Sequence, residues 1–292
     1  MSIIKSNLIL LLAAAIWGFA FVAQRVGMEN VGPFTFNGVR FLLGSLSLIP
    51  LILYLRGVDS QTSRTKSKSA MLPGLLAGTV LFIGASLQQV GLMYTTAGKA
   101  AFVTCLYIVL VPVVGIFLRQ SVGKGTWLGC ILAVLGLYFL CVKESASIQL
   151  GDLLELTGAF FWAFHILIIG HFSRRVDVLK LSCFQCITCS VLSLVTAAIT
   201  ETIAISGILA AAVPILYGGI CSVGIAYTLQ IVGQKNAPPA HAAIILSMET
   251  VFAAIGGFLL LGERMGGQEI FGCVLMLTGM LVSQLQSLRA NN

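Results

Sequence analysis

Charged side chains are scarce in this 292-residue chain: Asp, Glu, Lys and Arg together make up 9% of it, against 58% hydrophobic residues. A soluble fold lacks the polar surface it needs at such a composition, so lipid is the solvent the chain implies. Several catalytic signatures are also missing. There is no Walker-type Gly-x-x-x-x-Gly-Lys-Ser/Thr run for ATP, no Gly-x-Ser-x-Gly, no His-Glu-x-x-His and no pair of intramembrane aspartates, which leaves an intramembrane enzyme as a remote alternative without its machinery. The net charge of +7 comes without a basic face interleaved with aromatics, so it does not point to nucleic acid. Eight cysteines lie mostly within apolar runs; Cys183-x-x-Cys186-x-x-Cys189 has cluster-like spacing, but on a helix these positions drift around the cylinder and a fourth local ligand is absent. No metal and no cofactor is expected.

What is present is apolar sequence in runs of helical-span length, about 20 residues, rather than the alternating segments of about 10 that a barrel would show. Ten spans can be read: Asn7–Gly27, Pro33–Leu55, Met71–Met93, Lys99–Leu118 and Gly125–Val142, then Asp152–His171, Lys180–Thr200, Ala210–Gly233, Pro239–Leu261 and Gln268–Leu288. The Lys5–Ala15 start looks like a signal peptide, yet its apolar run continues through Trp17, Phe19 and Phe21, which favours an uncleaved first span.

The second half repeats the first. Gln88, Val90 and Gly91 return as Gln230, Val232 and Gly233 at an offset of 142, and Gly129-Cys130 with Gly136 returns as Gly272-Cys273 with Gly279 at an offset of 143. Five spans per copy force the second copy into the bilayer inverted, an arrangement typical of transporters. If the polar linker Arg56–Ser69 is cytoplasmic, its four basic residues join Lys5, Arg119, Lys124, Arg174, Arg175, Lys180, Lys235 and Arg289 inside, against Arg25, Lys99, Lys143 and Arg264 outside. The positive-inside rule then places both termini in the cytoplasm. Lys143–Gly151 is the short junction between the copies.

A few polar residues sit where they are expensive. Arg40, inside the second span, opposes insertion by about 2.5–3.5 kcal/mol if central. Either it snorkels to the headgroups, or it lines a polar cavity with Asn37 one turn before it, where it can clamp a carboxylate bidentately. Glu249, mid-way along the ninth span with no cation within a helical turn, has three competing readings: a proton-coupling group, a ligand for an amine or other cation, and a structural acid. The ungapped repeat sets Tyr107 opposite it. Gln88 and Gln230 occupy matched positions, with Tyr227 one turn before Gln230; they either line a cavity or tie neighbouring helices. Trp162 and His165 share a face of the sixth span, the imidazole being a titrating or substrate-contacting group or a satisfied structural one. Trp17, Phe21 and Gln24 share a face of the first span, as an aromatic wall suited to apolar or cationic ligands or as ordinary packing. Lys99 and His241 open the fourth and ninth spans as gates or as plain boundary residues. The glycines Gly74, Gly78, Gly129, Gly136, Gly272 and Gly279 permit close helix approach, between halves or between protomers.

Ala15-Ile16-Trp17-Gly18, Asn37-Gly38-Val39-Arg40-Phe41, Ala100-Ala101, and Ser247-Met248-Glu249-Thr250-Val251-Phe252 followed by Leu261-Gly262-Glu263 resemble the drug/metabolite transporter superfamily, and within it the EamA-type exporters, over about residues 7–288. The one departure is Thr250, where such proteins often carry proline, so the resemblance does not imply a proline kink there. It does imply ten helices in two inverted five-helix repeats and export of small metabolites or toxic compounds. The expectation is therefore an all-α integral membrane protein of ten transmembrane helices, with repeats at 7–142 and 151–288, in a bacterial-type plasma (inner) membrane, as a monomer or homodimer. Its activity is secondary active export of amino acids or related zwitterions by alternating access, driven by protons or by the substrate's own gradient. A multidrug exporter of hydrophobic cations is the alternative, and a non-transporting scaffold a remote one. Trp17, Asn37, Arg40, Gln88, Tyr107, Trp162, His165, Tyr227, Gln230 and Glu249 are the candidate substrate-binding residues, with Glu249 the candidate for proton coupling.

Overall fold

The computed structural model describes residues 2–59, 69–94, 97–120, 122–141, 150–261 and 266–289. Most of the basic linker after Asp59, the junction at 143–149, Gly262, Glu263 and the Lys99 side chain lie outside the described residues. The helices are α1 (Ile3–Gly27), α2 (Pro33–Asp59), α3 (Met71–Gly91), α4 (Ala97–Thr104), α5 (Tyr107–Phe117), α6 (Lys124–Cys141), α7 (Leu150–Phe172), α8 (Val178–Thr200), α9 (Ile205–Ala210) and α10 (Ala212–Leu216). A π-helical segment follows at Tyr217–Ala226, then α11 (Tyr227–Gln234), α12 (Pro239–Leu246), α13 (Glu249–Leu261) and α14 (Gly267–Arg289). No β-strand occurs among the described residues.

Among the described residues, seven stretches are long and apolar enough to cross a membrane: Ile3–Gly27, Pro33–Tyr54, Met71–Gly91, Leu150–Phe172, Val178–Thr200, Ala212–Gln234 and Pro239–Gly256. Within the other three predicted spans lie shorter apolar helices, Tyr107–Phe117, Lys124–Phe139 and Ile270–Ser283. Leu8, Leu12, Leu46, Phe117, Ile131 and Ile199 are exposed while Asn37, Glu155, His165 and Gln185 are completely buried. An apolar exterior around a polar interior is the reverse of a soluble fold and suits a lipid surround.

Small residues let helices approach closely. A methyl group added to Gly136 would lie 2.6 Å from the carbonyl oxygen of Gly272, and one added to Gly129 would lie 2.8 Å from that of Gly279. The matched glycines of the two halves thus face one another across α6 and α14, within the chain. Proline is accommodated by a thiol. Pro112 has no N–H for the carbonyl of Ile108, and the Cys130 Sγ donates to that oxygen at 3.4 Å. The start of α2 is capped from a distance: Glu201, at the end of α8, accepts from the backbone N–H groups of Phe34 and Thr35, each at 2.8 Å, and from the Thr35 hydroxyl at 2.7 Å. Its carboxylate meets the positive end of the helix dipole.

Two helices are interrupted at matching places. Between α4 and α5 the hydrogen bonds tighten to an i to i−3 pattern, Leu106 N to Val103 O at 3.2 Å and Ile108 N to Cys105 O at 3.0 Å. Between α12 and α13 the same happens, Met248 N to Ile245 O and Thr250 N to Ser247 O, both at 3.1 Å. No proline is needed at the second site. The Thr250 hydroxyl donates to the Ser247 carbonyl at 2.8 Å, and so holds the tight turn. These interruptions, 142 residues apart, bring Tyr107 and Glu249 to the first positions of α5 and α13.

Candidate functional site

The interrupted helices open onto a narrow central cavity with about 50 Å3 of room for water-sized occupants. Its wall takes Trp17, Phe21 and Gln24 from α1, Arg40 from α2, Gln88 from α3, Thr104 from α4, Tyr107 from α5, Trp162 and Ile166 from α7, Ser222 from the π segment, Tyr227 and Gln230 from α11, Leu246 from α12 and Glu249 from α13. Eight of the ten candidate residues meet there.

Asn37 and His165 stand one layer behind the wall. Asn37 accepts from the Arg40 Nε at 3.0 Å through Oδ1, and its Nδ2 donates to the Ala85 carbonyl at 3.2 Å, so its place is to aim the guanidinium. His165 Nε2 pairs with Gln185 Oε1 at 3.0 Å, and the ring stands edge-on to Trp162 and Tyr227, 6.2 and 5.9 Å between centroids. It buttresses two aromatic members of the wall. His241 is likewise committed, with Nδ1 at 2.8 Å from Ser283 Oγ and Nε2 at 3.2 Å from Asn7 Oδ1.

Arg40 does not snorkel. It is 4% exposed, with its guanidinium carbon 5.4 Å from the Phe36 ring centre and 5.1 Å from that of Phe41. Such faces hold a cation without neutralising it, and no carboxylate among the described residues pairs with it. Across the cavity Glu249 accepts from the Tyr107 hydroxyl at 3.0 Å, with the Cys105 thiol at 3.5 Å from the same oxygen. The two charge-bearing side chains share one cavity and are not paired with each other.

The aromatic wall is asymmetric. Trp17 packs on Tyr227 at 4.8 Å and donates its indole N–H to the Ser222 carbonyl at 3.1 Å, an oxygen presented by the irregular π segment. Its counterpart Trp162 faces α3, a regular helix whose carbonyls are used internally, and its indole nitrogen has no protein partner. π segments recur at functional sites for this reason, since they present backbone groups that a regular helix consumes.

Sequence reasoning missed four of the wall residues. Thr104, Ile166 and Leu246 carry no motif and are brought in by helix packing alone. Ser222 enters through the π segment, for which the Gly218-Gly219 pair and Gly224 were the available signal. It also passed over Glu155, fully buried behind Thr104 near the start of α7.

The chain matches the model of the EamA-like transporter family twice, over residues 4–142 and 149–284. It is 32% identical over 285 residues to a transporter of Archaeoglobus fulgidus, covering 96% of this chain and 86% of that one. It is 23% identical to the transporter YoaV of Bacillus subtilis, covering 96% and 97% of the two chains, and 25% identical to the inner membrane transporter YedA of Escherichia coli K12, covering 91% and 85%. A crystal structure with 20% identity shares the fold at a TM-score of 0.79 over 99% of both chains. A polar cavity at the centre of an apolar helical bundle and a family match over both halves lead to one conclusion: this multi-pass membrane protein belongs to the EamA-like transporter family and is a transporter rather than an enzyme.

Proposed function

We propose that the protein is a secondary active exporter of small zwitterions, amino acids or their relatives, working by alternating access. The observation that carries this reading is that one cavity, also lined by aromatic side chains, holds both Arg40 and Glu249, unpaired with each other. A carboxylate would take the guanidinium fork and an ammonium would take Glu249. The roughly 142-residue offset and the twofold family match support ten spans in two inverted five-helix repeats, 7–142 and 151–288, with the site between them. Both termini are cytoplasmic on this reading, and the membrane is the plasma (inner) membrane. Glu249 is the proton-coupling group, because it is a carboxylate inside the bundle that faces the cavity with only neutral donors on it.

Counterflow in proteoliposomes tests the reading. Vesicles preloaded with a mixture of the twenty common amino acids should take up labelled amino acid against equal pH, and absence of exchange with every member of the panel would reject zwitterion export. Export of hydrophobic cations is the second reading, favoured by Trp17, Trp162 and Tyr227 beside Glu249. Exchange of a cationic dye but of no amino acid would select it.

A further inference from the structure

Glu155 is a carboxylate that the cavity chemistry does not use. It lies completely buried in α7. Its Oε2 accepts from the Thr104 hydroxyl at 2.7 Å, while its Oε1 has no hydrogen-bond partner and rests against Gly91, where an added methyl group would lie 2.6 Å from it. Thr104 itself lines the central cavity. A tie between helices needs only a neutral acceptor such as glutamine, and a buried carboxylate with one idle oxygen and no cation on it among the described residues is a costly substitute. We propose that Glu155 is a second proton-carrying site, which exchanges protons with the cavity through the Thr104 hydroxyl.

The step balances without any other reactant. A proton from cavity water passes to Thr104 Oγ1 as the hydroxyl's own proton passes to Glu155 Oε2, and the reverse transfer releases it. Titratable neighbours are few. On its own helix Glu155 has Asp152 one turn before it and His165, already paired with Gln185. α3 contributes none, α4 only Lys99, whose side chain is outside the described residues, α5 contributes Tyr107 bound to Glu249, α11 Tyr227 on the cavity wall, and α12 His241 held by Asn7 and Ser283. The proposal rests on the cavity being the transport site, but its test needs no substrate.

The test is pH-difference infrared spectroscopy of the full chain purified in lipid. Wild type should show a carboxylic-acid carbonyl band that titrates, is lost in Glu155→Gln, survives in Glu249→Gln and returns in Glu155→Asp. Thr104→Val should shift the band, because the protonated Oε2 loses the hydroxyl that is its hydrogen-bond partner. Superimposable difference spectra for wild type and Glu155→Gln would overturn the proposal, as would an unshifted band in Thr104→Val, which also decides the matter should Glu155→Gln fail to fold. Failure of wild-type counterflow would instead remove the exporter reading, while the spectra still decide whether Glu155 carries a proton.

Discussion

Replacing Arg40 by lysine separates a substrate clamp from a structural cation. The Nε–H of Arg40 is spent on Asn37 Oδ1 at 3.0 Å, which fixes the plane of the fork, and no protein acceptor among the described residues takes its terminal nitrogens. Lysine keeps the charge but loses both the Asn37 bond and the two-pronged geometry. One charge-assisted hydrogen bond to a substrate carboxylate is worth about 1.5–3 kcal/mol, so a carboxylate substrate should lose about 12-fold to 150-fold in affinity. The decarboxylated amine of the same skeleton makes no such contact and should stay within about twofold, the size of effects away from direct contacts. Competition of the acid and the amine for counterflow of one labelled amino acid measures both numbers in the same vesicles. Asn37→Ala, which removes a neutral partner and leaves the guanidinium in place, should weaken the acid by about 2-fold to 12-fold and spare the amine. Equal losses for acid and amine in Arg40→Lys would refute the clamp and leave Arg40 as a brace for Phe36, Asn37 and Phe41.

Glu249→Gln should make the rate of transport flat with pH, measured as initial uptake across a series of equal internal and external pH values; a retained pH profile would reject proton coupling at this residue. Glu201→Ala should lower stability by about 1–2 kcal/mol, seen as a reduced thermal midpoint in detergent with substrate affinity unchanged, because three hydrogen bonds at the start of α2 lose their acceptor. Gly136→Ala should destabilise by about 1–3 kcal/mol in the same assay, since its new methyl would press on Gly272 at 2.6 Å, whereas Gly267→Ala, with nothing within 4 Å, should be neutral.

Much of the architecture was legible because a membrane imposes it. Span-length apolar runs and an offset of 142 led from sequence to a helical bundle, and the same offset put Tyr107 against Glu249, two residues the structure joins by a hydrogen bond. Expensive residues such as Arg40 marked the cavity for the same reason, since a charge inside an apolar span must have somewhere polar to face. Other features had no local signal. The carboxylate of Glu201 caps a helix that begins 168 residues earlier in the chain, at Pro33, and no periodicity encodes that meeting. The fourth and ninth spans read as continuous because alanine, isoleucine and leucine run through them, although their hydrogen-bond pattern narrows at Cys105–Leu106 and Ser247–Met248. The glycines of α6 and α14 announced close packing but not the partner; the structure pairs them with one another.

The bond between Tyr107 and Glu249 crosses from one interrupted helix to the other, at the point where each departs from regular winding. The two departures from regular winding are therefore tied to each other through one hydrogen bond. The two contacts are chemically unlike, a phenol that gives its proton and a carboxylate that receives it, and what binds the carboxylate therefore reports to both rods at once.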